Sequence, residues 1–84
     1  MDFAKILQSK LEADGSMRHI LLYTDEDGAW CASVPSLPGC HSQGATREET
    51  LVNIKEAIAL YVEALKEDGV PVPDEPEIMV LEQV

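Results

Sequence analysis

An α+β domain, with a mostly antiparallel sheet of three to four strands and one long helix packed on one face, is the fold class that three stretches of the sequence predict. "RHILLYTDEDGAWCASVP" (18–35) reads as a hairpin and "SLPGC" (36–40) as a sharp turn. "TREETLVNIKEAIALYVEALKEDG" (46–69) reads as a helix with both ends marked. The predicted order is α-β-β-β-α-β in a single domain over residues 1–84, with 1–16 a helical extension and 17–84 the core.

The elements follow from local chemistry. In residues 2–13, Phe3, Ile6, Leu7 and Leu11 recur at helical spacing, and Gly15 after "EAD" suits a helix terminator. From Arg18 to Thr24 the chain is rich in aliphatic, aromatic and β-branched residues. "DEDG" follows, with Gly28 placed where a bulged hairpin turn requires positive φ. The arm from Ala29 to Val34 alternates, with Trp30, Ala32 and Val34 on one face and Cys31 and Ser33 on the other.

Pro38 and Gly39 suit the second and third positions of a type II turn, and "CHSQG" reads as a short strand after it. Thr46 and Glu49 have capping-box spacing, each expected to satisfy the other's amide. Leu51, Ile54, Ile58, Tyr61 and Leu65 form one apolar stripe. Burying five such side chains is worth about 8–15 kcal/mol gross. Gly69 stops the helix, Pro71 and Pro73 prevent its resumption, and "EIMVLEQV" reads as a last strand.

Composition narrows the function. Sixteen acidic residues against six basic ones give a formal charge of −10, which repels phosphate backbones and anionic lipid surfaces. Direct DNA or RNA binding and membrane association are not expected, and a basic protein partner is. No segment has the uninterrupted apolar run of a signal peptide or membrane span, which predicts a cytoplasmic protein. A chain of 84 residues buries a thin core, so a homo-oligomer, dimer or tetramer, is expected.

No catalytic or metal constellation is visible, and no cofactor is implied. The two cysteines, Cys31 and Cys40, lack metal-site spacing. Cys40 and His41 are chain neighbours, which point to opposite sides of a strand, whereas a nucleophile must reach its base. His19, His41, Asp25 and Asp27 match no ligand pattern, and the two aspartates are explained by turn chemistry. The acidic tip Asp25, Glu26 and Asp27 is the candidate partner contact, weighed against a simple solvated turn. Gly28, Pro38, Gly39, Thr46 and Glu49 are the candidate structural motif.

"YTDEDGAWCASVPSLPGCHSQGATREETLVNIKEAIALYVEALKEDGVPVP", from Tyr23 to Pro73, resembles the HicB-like antitoxin family of bacteria. The likeness rests on the turn at Asp25–Gly28, the strand and turn from Val34 to Cys40, the connection Ser42–Thr46 and the helix from Glu49 to Ile58. The resemblance implies a partial ribonuclease-H-like fold without nuclease activity. It also implies a non-catalytic antitoxin that masks a HicA-like toxin, a small basic ribonuclease. Many members carry a C-terminal DNA-binding domain; this chain has no such segment, so operator binding is not carried over. The alternative is a stand-alone HicB-like homo-oligomer with a structural or regulatory role and no toxin. A third reading, a small hydrolase using Cys40 or the Asp25–Asp27 loop, would require thiol-dependent turnover.

Overall fold

The computed structural model describes residues 7–13 and 15–76. Their order is β1 (Leu7–Ala13), β2 (Ser16–Thr24), β3 (Trp30–Ser33), β4 (His41–Gly44) and α1 (Arg47–Glu67). The four strands form one antiparallel sheet in sequence order, β1-β2-β3-β4. The predicted class holds, and the predicted order is corrected at its start. The expected last strand lies outside the described residues.

The expected N-terminal helix is a strand over Leu7–Ala13, paired with β2 from Leu7↔Leu22 to Ala13↔Ser16. The reason lies in the ambiguity of a four-residue spacing. Leu7 and Leu11 share a face in a helix, but they also share one in a strand, because four is twice the strand period. Within "LQSKLEA" the polar Gln8, Lys10 and Glu12 alternate with the rest, which fits period two better. An isolated helix this short is marginal in water, whereas a neighbouring strand supplies hydrogen bonds at once. Asp14-Gly15 between the paired Ala13 and Ser16 is a strong two-residue hairpin signal, and Gly15 has φ +82°.

The other turns match their chemistry. The Asp25 amide donates to the Ala29 carbonyl at 2.9 Å and the Gly28 amide to the Asp25 carbonyl at 3.1 Å, with Gly28 at φ +83°. At the second turn the Cys40 amide donates to the Leu37 carbonyl at 3.0 Å across Pro38-Gly39, with Gly39 at φ +83°. That pair fulfils the type II expectation.

Helix α1 starts where the capping box predicts. The Glu49 amide donates to Thr46 Oγ1 at 3.1 Å, but the Glu49 carboxylate reaches one residue further back, accepting from the Ala45 amide at 3.3 Å. At the other end the Gly69 amide donates to the Lys66 carbonyl and the Val70 amide to the Leu65 carbonyl, a paired closure that satisfies two orphan carbonyls. The buried side of the helix is Thr50, Ile54, Ile58 and Val62, flanked by the half-buried Leu51, Tyr61 and Leu65. The stripe is thus rotated slightly from the predicted one, with Val62 on its axis.

This stripe packs on the sheet face carrying Ile20, Leu22 and Ala32, and Val34, Leu37 and Cys40 from the turn complete the core. One polar bond closes the helix's own first turn and two tie the helix to its neighbours. Thr50 Oγ1 donates to the Thr46 carbonyl, Asn53 Nδ2 to the Gln43 carbonyl at 2.9 Å, and the Tyr61 hydroxyl to the Pro38 carbonyl at 2.8 Å. Gly44 lets the helix sit close. A Cβ built on it would stand 2.8 Å from Thr50 Oγ1 and 3.0 Å from the Thr50 backbone nitrogen.

The segment after the helix, 70–76, has no regular structure and is fastened by side chains. On β2, β3 pairs only with Leu21–Thr24, so the His19 amide lies beyond the end of that ladder. There it donates to Glu75 Oε1 at 2.6 Å, and the His19 ring shares the same oxygen through Nδ1. Arg18, 3% exposed, donates to the Pro73 carbonyl and to Ser36 Oγ, both at 3.1 Å, and stands 3.8 Å from Glu75 Oε2. Burial pushes the Glu75 carboxyl up, but hydrogen bonds from Ser36 and His19 outweigh it and hold the group below its ordinary value of 4.5.

Two outcomes are expected. Gly44→Ala should lower stability by about 1–3 kcal/mol in urea unfolding, because the backbone contact cannot yield cheaply. Glu75→Gln should cost about 1–3 kcal/mol at neutral pH. A depressed folded value means that the stabilisation is complete above the ordinary carboxylate range and is lost as pH falls through the depressed one. The gap in urea midpoint between the native chain and Glu75→Gln should therefore close on acidification below pH 4.5.

Candidate functional site

The acidic tip predicted from "DED" is where β2 turns into β3, and its three carboxylates have different duties. Asp25 Oδ1 accepts the amides of Asp27 at 2.9 Å and Ala29 at 3.0 Å, so this side chain builds the turn. Glu26 and Asp27 are exposed. The expected trio is therefore one structural and two free carboxylates.

The fold adds a further carboxylate that sequence spacing did not connect with the tip. β4 runs beside β3 and hands the chain to α1, which brings the first helical turn next to the hairpin. A shallow recess there is lined by Asp25, Asp27, Gln43, Ala45 and Glu49, with no basic side chain in its wall. Glu49 thus serves both as the helix cap and as a wall of this recess. Exposed carboxylates around a concave surface suit a lysine or arginine side chain, which forms charge-assisted hydrogen bonds with them. Among the described residues no group of three His, Cys, Asp or Glu side chains is placed to hold a metal ion.

The second region is the sheet face away from α1. A shallow depression there is lined by Tyr23, Cys31, His41 and Gln43, and none of these carries a carboxylate. Tyr23 is 36% exposed. Cys31 is half-buried; burial, and then the Asp25 charge, push its thiol up. Cys40 faces the core at 4% exposure while His41 is exposed, so the adjacent pair stands on opposite sides of the chain. Burial raises the Cys40 thiol too, with Arg18 opposing that only in part. Neither cysteine has the electropositive, accessible setting that makes a thiolate nucleophile.

Gly28 and Gly39 stand at positive φ, Thr46 caps α1, and Glu49 accepts from the Ala45 amide where the Thr46 amide was the expected partner. The Arg18–His19–Glu75 cluster was not foreseen. Its members are separated by more than fifty residues, and no spacing signal joins such a pair; the unusual Arg-His dipeptide opening an apolar strand was the available hint. The thiol setting gives a direct expectation. A disulfide reagent should modify Cys31 first and slowly, and Cys40 only on a timescale set by unfolding, so that urea below the transition leaves Cys40 unlabelled.

The profile described as "HicB_like antitoxin of bacterial toxin-antitoxin system" matches residues 19–84. A UPF0150 protein of Thermoplasma acidophilum is 48% identical over 54 residues, covering 64% of this chain and 78% of its own length. A UPF0150 protein of Synechocystis is 52% identical over 56 residues, 67% of this chain and 71% of the relative. One of Archaeoglobus fulgidus is 50% identical over 52 residues, 60% and 75% respectively. Such relatives are therefore not confined to bacteria. No solved structure matches the chain.

Proposed function

The chain belongs to the HicB-like antitoxin family, and we propose that it acts without catalysis, by binding and masking a small basic ribonuclease toxin of the HicA kind. One observation supports this reading beyond the family itself. The −10 chain places Asp27 and Glu49 around a recess at the hairpin tip, beside the exposed Glu26, where a basic surface can be received. The secluded thiols and the separation of Cys40 from His41 argue against the hydrolase alternative. We read the fold as a partial ribonuclease-H-like one and residues 1–84 as a single unit, with β1 in place of the helical extension.

A second reading has its own support. The sheet face bearing Tyr23, Cys31, His41 and Gln43 is uncovered by α1, and its shallow depression has no carboxylate in its lining, which suits self-association of an otherwise acidic chain into a dimer or larger assembly. The two surfaces adjoin at Gln43, which lines both, and are otherwise built from different side chains. Among the described residues no helix is long and apolar enough to cross a membrane, and a cytoplasmic setting is part of the proposal.

Charge complementarity acts mainly on the association rate. Reversing Glu26 and Asp27 to lysine spares Asp25, and with it the turn. In stopped-flow mixing with a basic toxin, the double variant should associate about tenfold or more slowly at low salt, with a flatter salt dependence. Unchanged rates would remove the tip from the interface.

A further inference from the structure

Arg18, His19 and Ser36 surround a carboxylate as a receptor surrounds a ligand. Arg18 is 3% exposed and His19 is 7% exposed, so both polar groups are held by the fold and not by solvent. His19 contributes a backbone amide freed by the early end of β3, and its ring points to the same oxygen. Ser36 is oriented by the Arg18 guanidinium. The occupant, Glu75, comes from outside the sheet and helix, on a segment whose main chain is tied by the Val70 amide to the end of α1 and by the Pro73 carbonyl to Arg18.

That segment is built like an extended ligand. "VPVPDEP" (70–76) has Pro71, Pro73 and Pro76, and a residue before proline is biased to extended backbone, which applies to Val70, Val72 and Glu75. Proline stiffening lowers the entropy lost when such a peptide is fixed. Val72 adds an apolar contact at the edge of the core. A small acidic anchor, an extended Pro-rich backbone and one apolar side chain together form a short recognition sequence.

We propose that Arg18, His19 and Ser36 constitute a carboxylate-binding site for an extended acidic peptide, and that the chain's own segment 70–76 is its tethered occupant. The site is distinct from the acidic recess at the hairpin tip and has the opposite preference. Tethering gives the occupant an effective concentration in the millimolar range, so a competing segment binds only when the tether is released or its carboxylate is lost.

The test uses the full chain with Glu75→Ala and a synthetic peptide of sequence VPVPDEP, followed through the His19 amide in proton–nitrogen correlation spectra. The peptide should shift that signal saturably. The same peptide with Gln in place of Glu should bind at least tenfold more weakly. The native chain should respond at least tenfold less at equal peptide concentration. Should Glu75→Ala lose its dispersed Ile20 and Ile54 signals, Glu75→Gln, which keeps the side-chain volume, takes its place. Equal response to both peptides, no response at millimolar peptide, or a native chain that responds as well as the variant would overturn the proposal. Unfolding of both variants would overturn it as well, since Glu75 would then be part of the core and not a removable occupant.

Discussion

Ile54 and Ile58 of α1 share one core with Ile20 and Leu22 of β2, and none of the four is exposed. This packing of a single helix on a single sheet face is the constraint from which the other features follow. It needs a close approach, which Gly44 allows by offering no Cβ to Thr50. It needs the helix to begin at a defined place, which the Thr46 cap sets. The position of that beginning carries Glu49 to the hairpin tip and so creates the acidic recess. Among the described residues α1 covers one sheet face and leaves Tyr23 and His41 on the other exposed.

Much of this was legible because short-range chemistry decided it. The Pro38-Gly39 turn, the Gly28 bulge, the Thr46 cap and the Gly69 stop each depend on backbone preferences that neighbours in space do not override. The alternation put Trp30, Ala32 and Val34 on one face of β3, and that is the face that meets the core. Failures came where two periods coincide or where contacts are distant. Leu7 and Leu11 satisfied both helix and strand, and the ladder offered by β2 decided between them. The helix stripe was placed one residue off its axis because Tyr61 carries a polar end that prefers the Pro38 carbonyl at the margin. Glu49 looked like a cap alone until the fold set it beside Asp27, and Glu75 had no local signal at all.

The chain arranges its charges by place. Carboxylates gather at the hairpin tip and the helix start, the uncovered sheet face carries none in its shallow depression, and the buried cationic group Arg18 is turned inward to the 70–76 segment. A protein so divided can present one acidic surface to a basic partner while keeping another for a copy of itself. Among the described residues the thiols are secluded, and His41 faces away from Cys40. The proposed role, occupation of another protein, draws its support from family membership and from this division of charge.

The most direct measurement is growth of cells co-expressing this chain with a small basic ribonuclease of the HicA kind from the same genome, together with purification of the two through a tag on one. The account predicts that the basic protein alone arrests growth, that this chain restores it, and that the pair co-elutes. Growth arrest that persists despite abundant folded chain, with no co-elution at low salt, would contradict it.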